Sequence, residues 1–292
     1  MSNPTLEPGL WPFPAGSTVT DADGDVVSTF SAGGGVSVPG TPPPTGTLLG
    51  VFVSQMTPST EEAAAAALGV ALTCITEYGN NGSPYNYSPP AKGALGGARL
   101  VLGLGPCSTS EATTIAEGLI ANGYANTIFR FCWEMNGNWY PWGLESGGKT
   151  TGWTNASYVA AWTAFHAAVT AVPGGKFEFL WNMNGTSNIP TGCYPGSALV
   201  DIIGTDQYSY SGYAGNLAAA VKFAQSEGKP FAICEWGCAS GGGQTGDDPN
   251  YIKAVAAIIK APASNCQLQM YFSDPSISGF PNAEAAYRAE FG

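Results

Sequence analysis

The sequence predicts an α/β chain whose strands close into a (β/α)8 barrel behind a short β-rich N-terminal segment. Three observations lead there. Residues 47–292 carry eight short apolar runs, most of them separated by amphipathic helical runs. That stretch has the size and rhythm of eight strand–helix units. No GxGxxG follows the first apolar run, which argues against a doubly wound open sheet.

The elements follow in order. Residues 1–38 alternate β-branched and polar residues around turn signals, as in STVTDADGDVVSTF, and read as a hairpin-like segment. Asp21, Asp23 and Asp25 around Gly24 faintly resemble a calcium loop, but the glycine is misplaced and the distal glutamate is missing, so a plain turn is favoured. Residues 39–46, PGTPPPTG, form a stiff proline linker. The barrel domain, 47–292, opens with TLLGVFVS as a strand and PSTEEAAAAALGV as a helix. ALTCITEY and ARLVLGLGP are the second and third strands, and SEATTIAEGLIANG is a helix stopped by Gly123. NTIFRFCWE, KFEFLWNMN and ALVDIIGTDQY are strands four to six, with ASYVAAWTAFHAAVTAV as the helix after the fourth. NLAAAVKFAQSEG is a helix, KPFAICEWG the seventh strand, PNYIKAVAAIIKA a helix, CQLQMYFSD the eighth strand and PNAEAAYRAEFG the last helix. The second and fifth connections read as long loops with little helix.

Composition narrows the function. Apolar residues make up 44% of the 292, enough for a sizeable core. Ten Lys plus Arg against 21 Asp plus Glu, a net charge of −11, exclude nucleic acid and anionic membrane surfaces as expected partners. No apolar run is long enough to span a bilayer, so no membrane insertion is expected. The N-terminus lacks the basic start and apolar core of a secretory signal. That leaves the cytoplasm, a cleaved precursor or another export route, with an extracellular or virion-borne setting favoured. Seven cysteines cannot all pair internally. Cys74, Cys132 and Cys234 sit in strand-like runs and read as buried apolar groups, while Cys107, Cys193 and Cys238 are the candidates for a loop disulfide. The single histidine, His166, reads as a helix-face residue, so a histidine-based zinc site or Ser-His-Asp triad is not expected.

A barrel places its chemistry at the C-terminal ends of its strands. The polar residues there include Ser54, Gln55, Glu77, Tyr78, Arg130, Glu134, Asn182, Asn184, Asp206, Tyr208, Glu235, Ser273 and Asp274. Only 11% of the chain is charged, yet Glu134 and Glu235 each follow a strongly apolar strand and precede aromatics and glycine. A partly desolvated carboxyl has a raised pKa and suits proton donation. Two carboxylates about 5–5.5 Å apart make a retaining glycosidase, and about 6.5–9.5 Å an inverting one. A structural ion pair between Arg130 and Glu134 is the plainer reading of the first. Tryptophans 133, 139, 142, 181 and 236 cluster near strand ends, where indole faces could stack on sugar rings.

The stretch RFCWEMNGNWYPWG, from Arg130 to Gly143, resembles the acid/base motif of glycoside hydrolase family 26. In matching order, CYPG from Cys193 and VDIIGTDQY from Val200 resemble its next stretch, and PFAICEWG from Pro230 its nucleophile strand. The resemblance covers most of the chain after Gly50. It implies a (β/α)8 TIM barrel of the retaining clan, Glu134 as acid/base and Glu235 as nucleophile, with no metal or organic cofactor. It further implies that Tyr208 hydrogen-bonds the nucleophile and holds it ionised, Trp139 flanks the cleaved sugar, Arg130 braces the region of the fourth-strand carboxylate, and Asp206 supports Tyr208 and the loop. Arg130, Trp133, Asn136, Trp139, Trp142, Trp181, Asp206, Tyr208 and Trp236 complete the expected substrate-binding set. Where the family has histidine before the acid/base this chain has Trp133, an indole with one donor and no acceptor. The expected activity is therefore retaining endo-hydrolysis of a polysaccharide, β-mannan or a bacterial surface or wall glycan. Alternatives are a non-catalytic carbohydrate-binding or structural module of a phage tail, and a peptidoglycan hydrolase. Virion proteins are candidate partners of residues 1–46.

Overall fold

Alternation within each apolar run decides which side chains enter the barrel and which meet the helices. The computed structural model of the chain describes residues 18–20, 26–29, 47–52, 58–79, 87–92, 95, 97–273 and 276–292. Its first elements are two short antiparallel strands, β1 (Thr18–Thr20) and β2 (Val26–Thr29). Asp21, Asp23, Asp25, the proline linker, Ser54, Gln55 and Asp274 lie outside the described residues.

The barrel elements are β3 (Leu48–Phe52), α1 (Pro58–Leu68), β4 (Cys74–Tyr78), β5 (Arg99–Leu104), α2 (Thr109–Ala121), β6 (Ile128–Phe131), α3 (Asn155–Thr170), β7 (Glu178–Asn184), β8 (Ile202–Asp206) and α4 (Tyr213–Ser226). They continue with β9 (Phe231–Trp236), the short β10 (Ser240–Gly241) and β11 (Gln244–Thr245), α5 (Pro249–Lys260), β12 (Cys266–Phe272) and α6 (Pro281–Phe291). Eight strands pair in parallel in the order β3-β4-β5-β6-β7-β8-β9-β12, and β12 closes onto β3. β6 is thus the fourth barrel strand and β9 the seventh. Between β7 and β8 the only helix is a 3-10 turn, Thr191–Cys193, and no described residue between β4 and β5 is helical. Proline and glycine recur in both connections, and each interrupts helical hydrogen bonding or backbone order.

Inside the barrel, Cys74, Val101, Ile128, Leu180, Ile202, Ala232, Cys234, Leu268 and Met270 form a closed apolar floor. Their strand neighbours point outward and pack under helices: Phe131 of β6, for example, stacks on Phe165 of α3 with centroids 4.3 Å apart. Helix starts are capped by side chains. Ser108 and Glu111 form a reciprocal capping box on α2, Thr154 and Ser157 do so on α3, and Asp248 caps α5. No helix of the described residues is long and apolar enough to cross a membrane.

All seven cysteines are free thiols, so the candidates for a loop disulfide, Cys107, Cys193 and Cys238, are unpaired with one another. Cys193 and Cys238 serve instead as small buried groups of the outer core. Burial pushes the Cys193 thiol up to about 12 and Cys238 up to about 11. His166 sits on α3 over the ring of Phe179, as a helix-face residue would.

Candidate active site

Above the apolar floor the inward positions turn polar. Steps of two residues along each strand carry Thr76 to Tyr78 in β4, Ile128 to Arg130 in β6, Leu180 to Asn182 and Asn184 in β7, and Ile202 through Gly204 to Asp206 in β8. β9 breaks the alternation. Its pairing with β8 jumps from Thr205↔Ile233 to Asp206↔Glu235, and its pairing with β12 from Gln269↔Ile233 to Tyr271↔Trp236. One extra residue is accommodated there, as in a bulge. Cys234 therefore packs into the floor while Glu235, the next residue, also reaches the barrel interior. Gly204 makes room: a Cβ on it would lie 2.5 Å from the Cys234 sulfur.

Arg130 is fully buried and organises the floor of the site. Its Nε donates to Asn182 Oδ1 at 2.6 Å and its Nη1 to the Tyr78 hydroxyl at 2.6 Å. Its Nη2 donates to Asp206 Oδ2 and to Glu235 Oε1, each at 2.9 Å. The Tyr78 hydroxyl in turn donates to Glu235 Oε1, and the Tyr208 hydroxyl donates to Glu235 Oε2 at 2.8 Å. Glu235 thus meets only donors, the surroundings that an acceptor-only carboxylate requires. The plainer reading of Glu134 fails, since Arg130 pairs with Asp206 and Glu235 and makes no ion pair with it, and the expectation for Asp206 is corrected, since it bonds Arg130 and not Tyr208. Geometry explains both, because Arg130 rises from inside the barrel toward β8 and β9.

Removing Arg130 would leave Asp206 and Glu235 buried without their counter-charge. We expect Arg130→Met to lower unfolding free energy by about 3–5 kcal/mol. Equilibrium denaturation near neutral pH measures this, and a loss below 1 kcal/mol would show that the cluster is not a balanced unit.

Glu134 reaches the site differently. β6 ends at Phe131, and both Cys132 (φ 49°) and Glu134 (φ 52°) adopt left-handed backbone. Such residues cost about 1–2 kcal/mol each in L-amino acids. The turn is held by a bond from the Glu134 amide to the Asn182 carbonyl at 2.8 Å. Asn184 Nδ2 donates to Glu134 Oε1 and Trp139 Nε1 to Glu134 Oε2, both at 2.7 Å. Asn136 pins Asn184 by a pair of bonds, its Nδ2 to the Asn184 carbonyl at 2.9 Å and its Oδ1 from the Asn184 amide at 2.8 Å. The Trp139 ring covers Gly137, where a Cβ would come within 2.3 Å of it, so only glycine fits.

Glu134 is 7% exposed. Burial, and next the charge of Glu235, push its carboxyl up to about 7, against the bonds from Asn184 and Trp139 and the charge of Arg130. One oxygen each from Glu134, Asp206 and Glu235 lie within 4.8 Å of one another. A single guanidinium faces three carboxyls here, and burial also pushes Asp206 well above the usual carboxylate range against the charge of Arg130, so the cluster gains by keeping a proton among them. A cation, Arg130 Nη2, already pairs with two of these three carboxyls, which makes the trio a poor metal cage. The arrangement is one buried carboxyl that holds its proton more tightly than usual, facing a second carboxyl ringed by donors.

The tryptophans depart from expectation. Trp142, Trp181 and Trp236 are fully buried, and none offers a face to a sugar. Trp142 donates its N–H to the Trp133 carbonyl at 2.7 Å and stacks on Tyr140. Trp181 and Trp236 point outward from their strands, against Tyr194 and Phe223 and against Tyr271 and Tyr287 respectively. Trp133 is 2% exposed, packs against Tyr78 and spends its N–H on the Tyr140 hydroxyl. Large rings stabilise most where they exclude most water, so strand-end indoles went to the packing layers. Of the five, Trp139 alone is exposed, at 38%. Asn136 acts on Asn184 and not toward open space. Tyr78 and Asn184, placed by sequence only at strand ends, belong to the site. Their inward register, two residues beyond Thr76 and Asn182, is the signal that finds them.

Comparison with known proteins fits this geometry. The sequence profile described as Glycosyl hydrolase family 26 matches residues 112–272, more than half of the chain and a span containing both glutamates. A mannan endo-1,4-beta-mannosidase of Bacillus subtilis is 30% identical over 131 residues, 42% of this chain and 34% of that protein. The match spans about a third of the length of such curated relatives. Among solved structures, a Bacillus subtilis mannanase superposes with a TM-score of 0.57 at 18% identity, covering 84% of this chain and 86% of that one. A modular endo-beta-1,4-mannanase from Cellulomonas fimi gives 0.57 at 18% identity, covering 78% and 65%. At these identities the structures share the fold.

Proposed function

The chain belongs to glycosyl hydrolase family 26, and from that premise we propose that it is a retaining endo-glycosidase of a neutral polysaccharide, with Glu134 as general acid/base and Glu235 as nucleophile. One observation carries the reading: a carboxyl pushed up to about 7 shares a 4.8 Å oxygen cluster with a carboxylate that meets only donors. The short separation favours direct attack over a geometry that leaves room for water between the two groups.

In the first step a Glu235 oxygen bonds the anomeric carbon while the bond to the leaving oxygen breaks and takes the Glu134 proton. Oε2, with Tyr208 as its one donor, is the freer of the two oxygens; Oε1 stays with Arg130 and Tyr78. In the second step Glu134, now ionised, takes a proton from water. The water oxygen bonds the anomeric carbon, the ester bond to Glu235 breaks, and both glutamates return to their starting states. Arg130, Tyr78 and Tyr208 hold Glu235 in place through both steps, and Asn184 and Trp139 do the same for Glu134.

A non-catalytic binding module would gain nothing from a buried proton-bearing glutamate beside a second carboxylate. Substrates rich in anionic groups, peptidoglycan among them, fit poorly, because the cation of this site is buried and already balanced by Asp206 and Glu235. β-1,4-Mannan is the first candidate substrate, because the similar proteins of known activity are mannan endo-1,4-beta-mannosidases. Trp133 offers no free polar group to a sugar, so other neutral glycans belong in the same screen.

The test is incubation with mannans, mixed-linkage glucan, xylans, and the arabinan and galactan of actinobacterial walls, with products read by mass and by proton NMR. Oligosaccharides whose first-formed anomer matches that of the substrate are expected. First formation of the opposite anomer would sink the double displacement, and release of no sugar from any polymer would sink the glycosidase reading.

A further inference from the structure

We infer that Tyr210 and the β10–β11 hairpin form a further sugar-binding subsite, on the Glu235 side of the cleavage point, that takes a distal unit of the polysaccharide chain. The inference rests on the glycosidase reading above. Two large apolar side chains are exposed among the described residues, Trp139 at 38% and Tyr210 at 42%. Trp139 is tied to Glu134 by its N–H. Tyr210 is linked to the other glutamate through Tyr208. It lies two residues beyond Tyr208, the donor to Glu235 Oε2, and its amide bonds the Tyr208 carbonyl at 2.8 Å, which keeps the two rings on one tight turn.

A lone exposed tyrosine on a surface needs no explanation. This one is built into a wall. The hairpin starts a few residues after Glu235 and is tied back to the Tyr208–Tyr210 turn by the Thr245 amide, 3.3 Å from Ser209 Oγ. Gln244 Nε2 reaches the Tyr210 hydroxyl at 3.4 Å, while its Oε1 is buried without a partner. Gly243 lies beside the Tyr210 ring, where a Cβ would still stand 3.8 Å from the nearest ring carbon, so the backbone flanks the ring without crowding it. Gly241, Gly242 and Gly243 all have positive φ, a run that lets main-chain amides approach a ligand closely. An exposed aromatic ring beside side-chain and main-chain amides suits a sugar, whose C–H face stacks on such a ring while its hydroxyls bond such amides. A polymer crossing between Glu134 and Glu235 and leaving over β8 and β9 would meet it. An isolated short substrate would not.

The experiment uses the polymer that the wild-type chain cleaves and its oligosaccharides of three and six units. For Tyr210→Ala, the ratio of kcat/KM on the polymer to that on the three-unit substrate should fall about tenfold, with longer end products. Tyr210→Phe, which keeps the ring, should stay within about twofold of wild type in that ratio. Gln244→Ala, which leaves the ring in place, should lower it by a smaller factor. Unchanged chain-length dependence and product lengths in Tyr210→Ala would overturn the subsite while leaving the glycosidase intact. A wild-type chain that cleaves no polymer would remove the premise and the subsite together.

Discussion

Glu235→Ala abolishes turnover by several orders of magnitude, and added azide restores bond cleavage with a glycosyl azide of inverted anomeric configuration. Both results are expected if Glu235 is the nucleophile. Without its side chain no ester to the sugar can form, and a small anion can occupy the vacated space and attack from the same face. Arg130 keeps one partner, Asp206, so its charge stays paired and the fold should survive. Thermal unfolding monitored by circular dichroism checks that the loss is chemical. Substantial turnover by Glu235→Ala without azide, or an azide product of retained configuration, would reassign the residue.

Glu134→Gln is expected to lower kcat by about 10²–10⁴-fold, the usual contribution of a positioned proton donor. It also separates activity from stability. The Glu134 carboxyl is pushed up to about 7 in the fold, from an ordinary value of 4.5. The folded chain therefore holds a proton there that the unfolded chain releases earlier. This favours the fold fully below about 4.5, and the advantage is lost as pH rises through about 7, by about 3 kcal/mol. Glutamine carries no such charge. Glu134→Gln should thus gain stability over wild type at pH 8 compared with pH 5, in paired urea or guanidinium titrations. A difference that does not change between the two pH values would mean that Glu134 is not held protonated. Activity follows the same group: wild-type kcat/KM should fall as pH passes about 7, because the proton donor is then lost. Glu134→Gln should lack that limb.

Much of the architecture was legible because burial imposes a period. Runs such as RLVLGL, FLWNM and FAICEW are apolar on both faces, as a strand between barrel interior and helix layer must be. The two glutamates stood out for a related reason. In a chain with 11% charged residues, a carboxylate at the end of such a run is costly unless it is used or paired. The two helix-poor connections could also be read, from their prolines and glycines.

Sequence alone determined the eight-stranded rhythm, the strand ends that carry Glu134 and Glu235, and the scarcity of cations, because each of these is set by local composition and periodicity. The tertiary structure decided which side chains actually meet. The extra residue in β9 that turns Glu235 inward, the left-handed turn at Cys132 and Glu134, and the choice of Asp206 and Glu235 as partners of Arg130 all depend on contacts between strands far apart in the chain. So does the separation of exposed Trp139 from buried Trp142, Trp181 and Trp236. An indole near a strand end looks the same in sequence whether it faces water or helix, since only packing against the neighbouring layer sets its exposure.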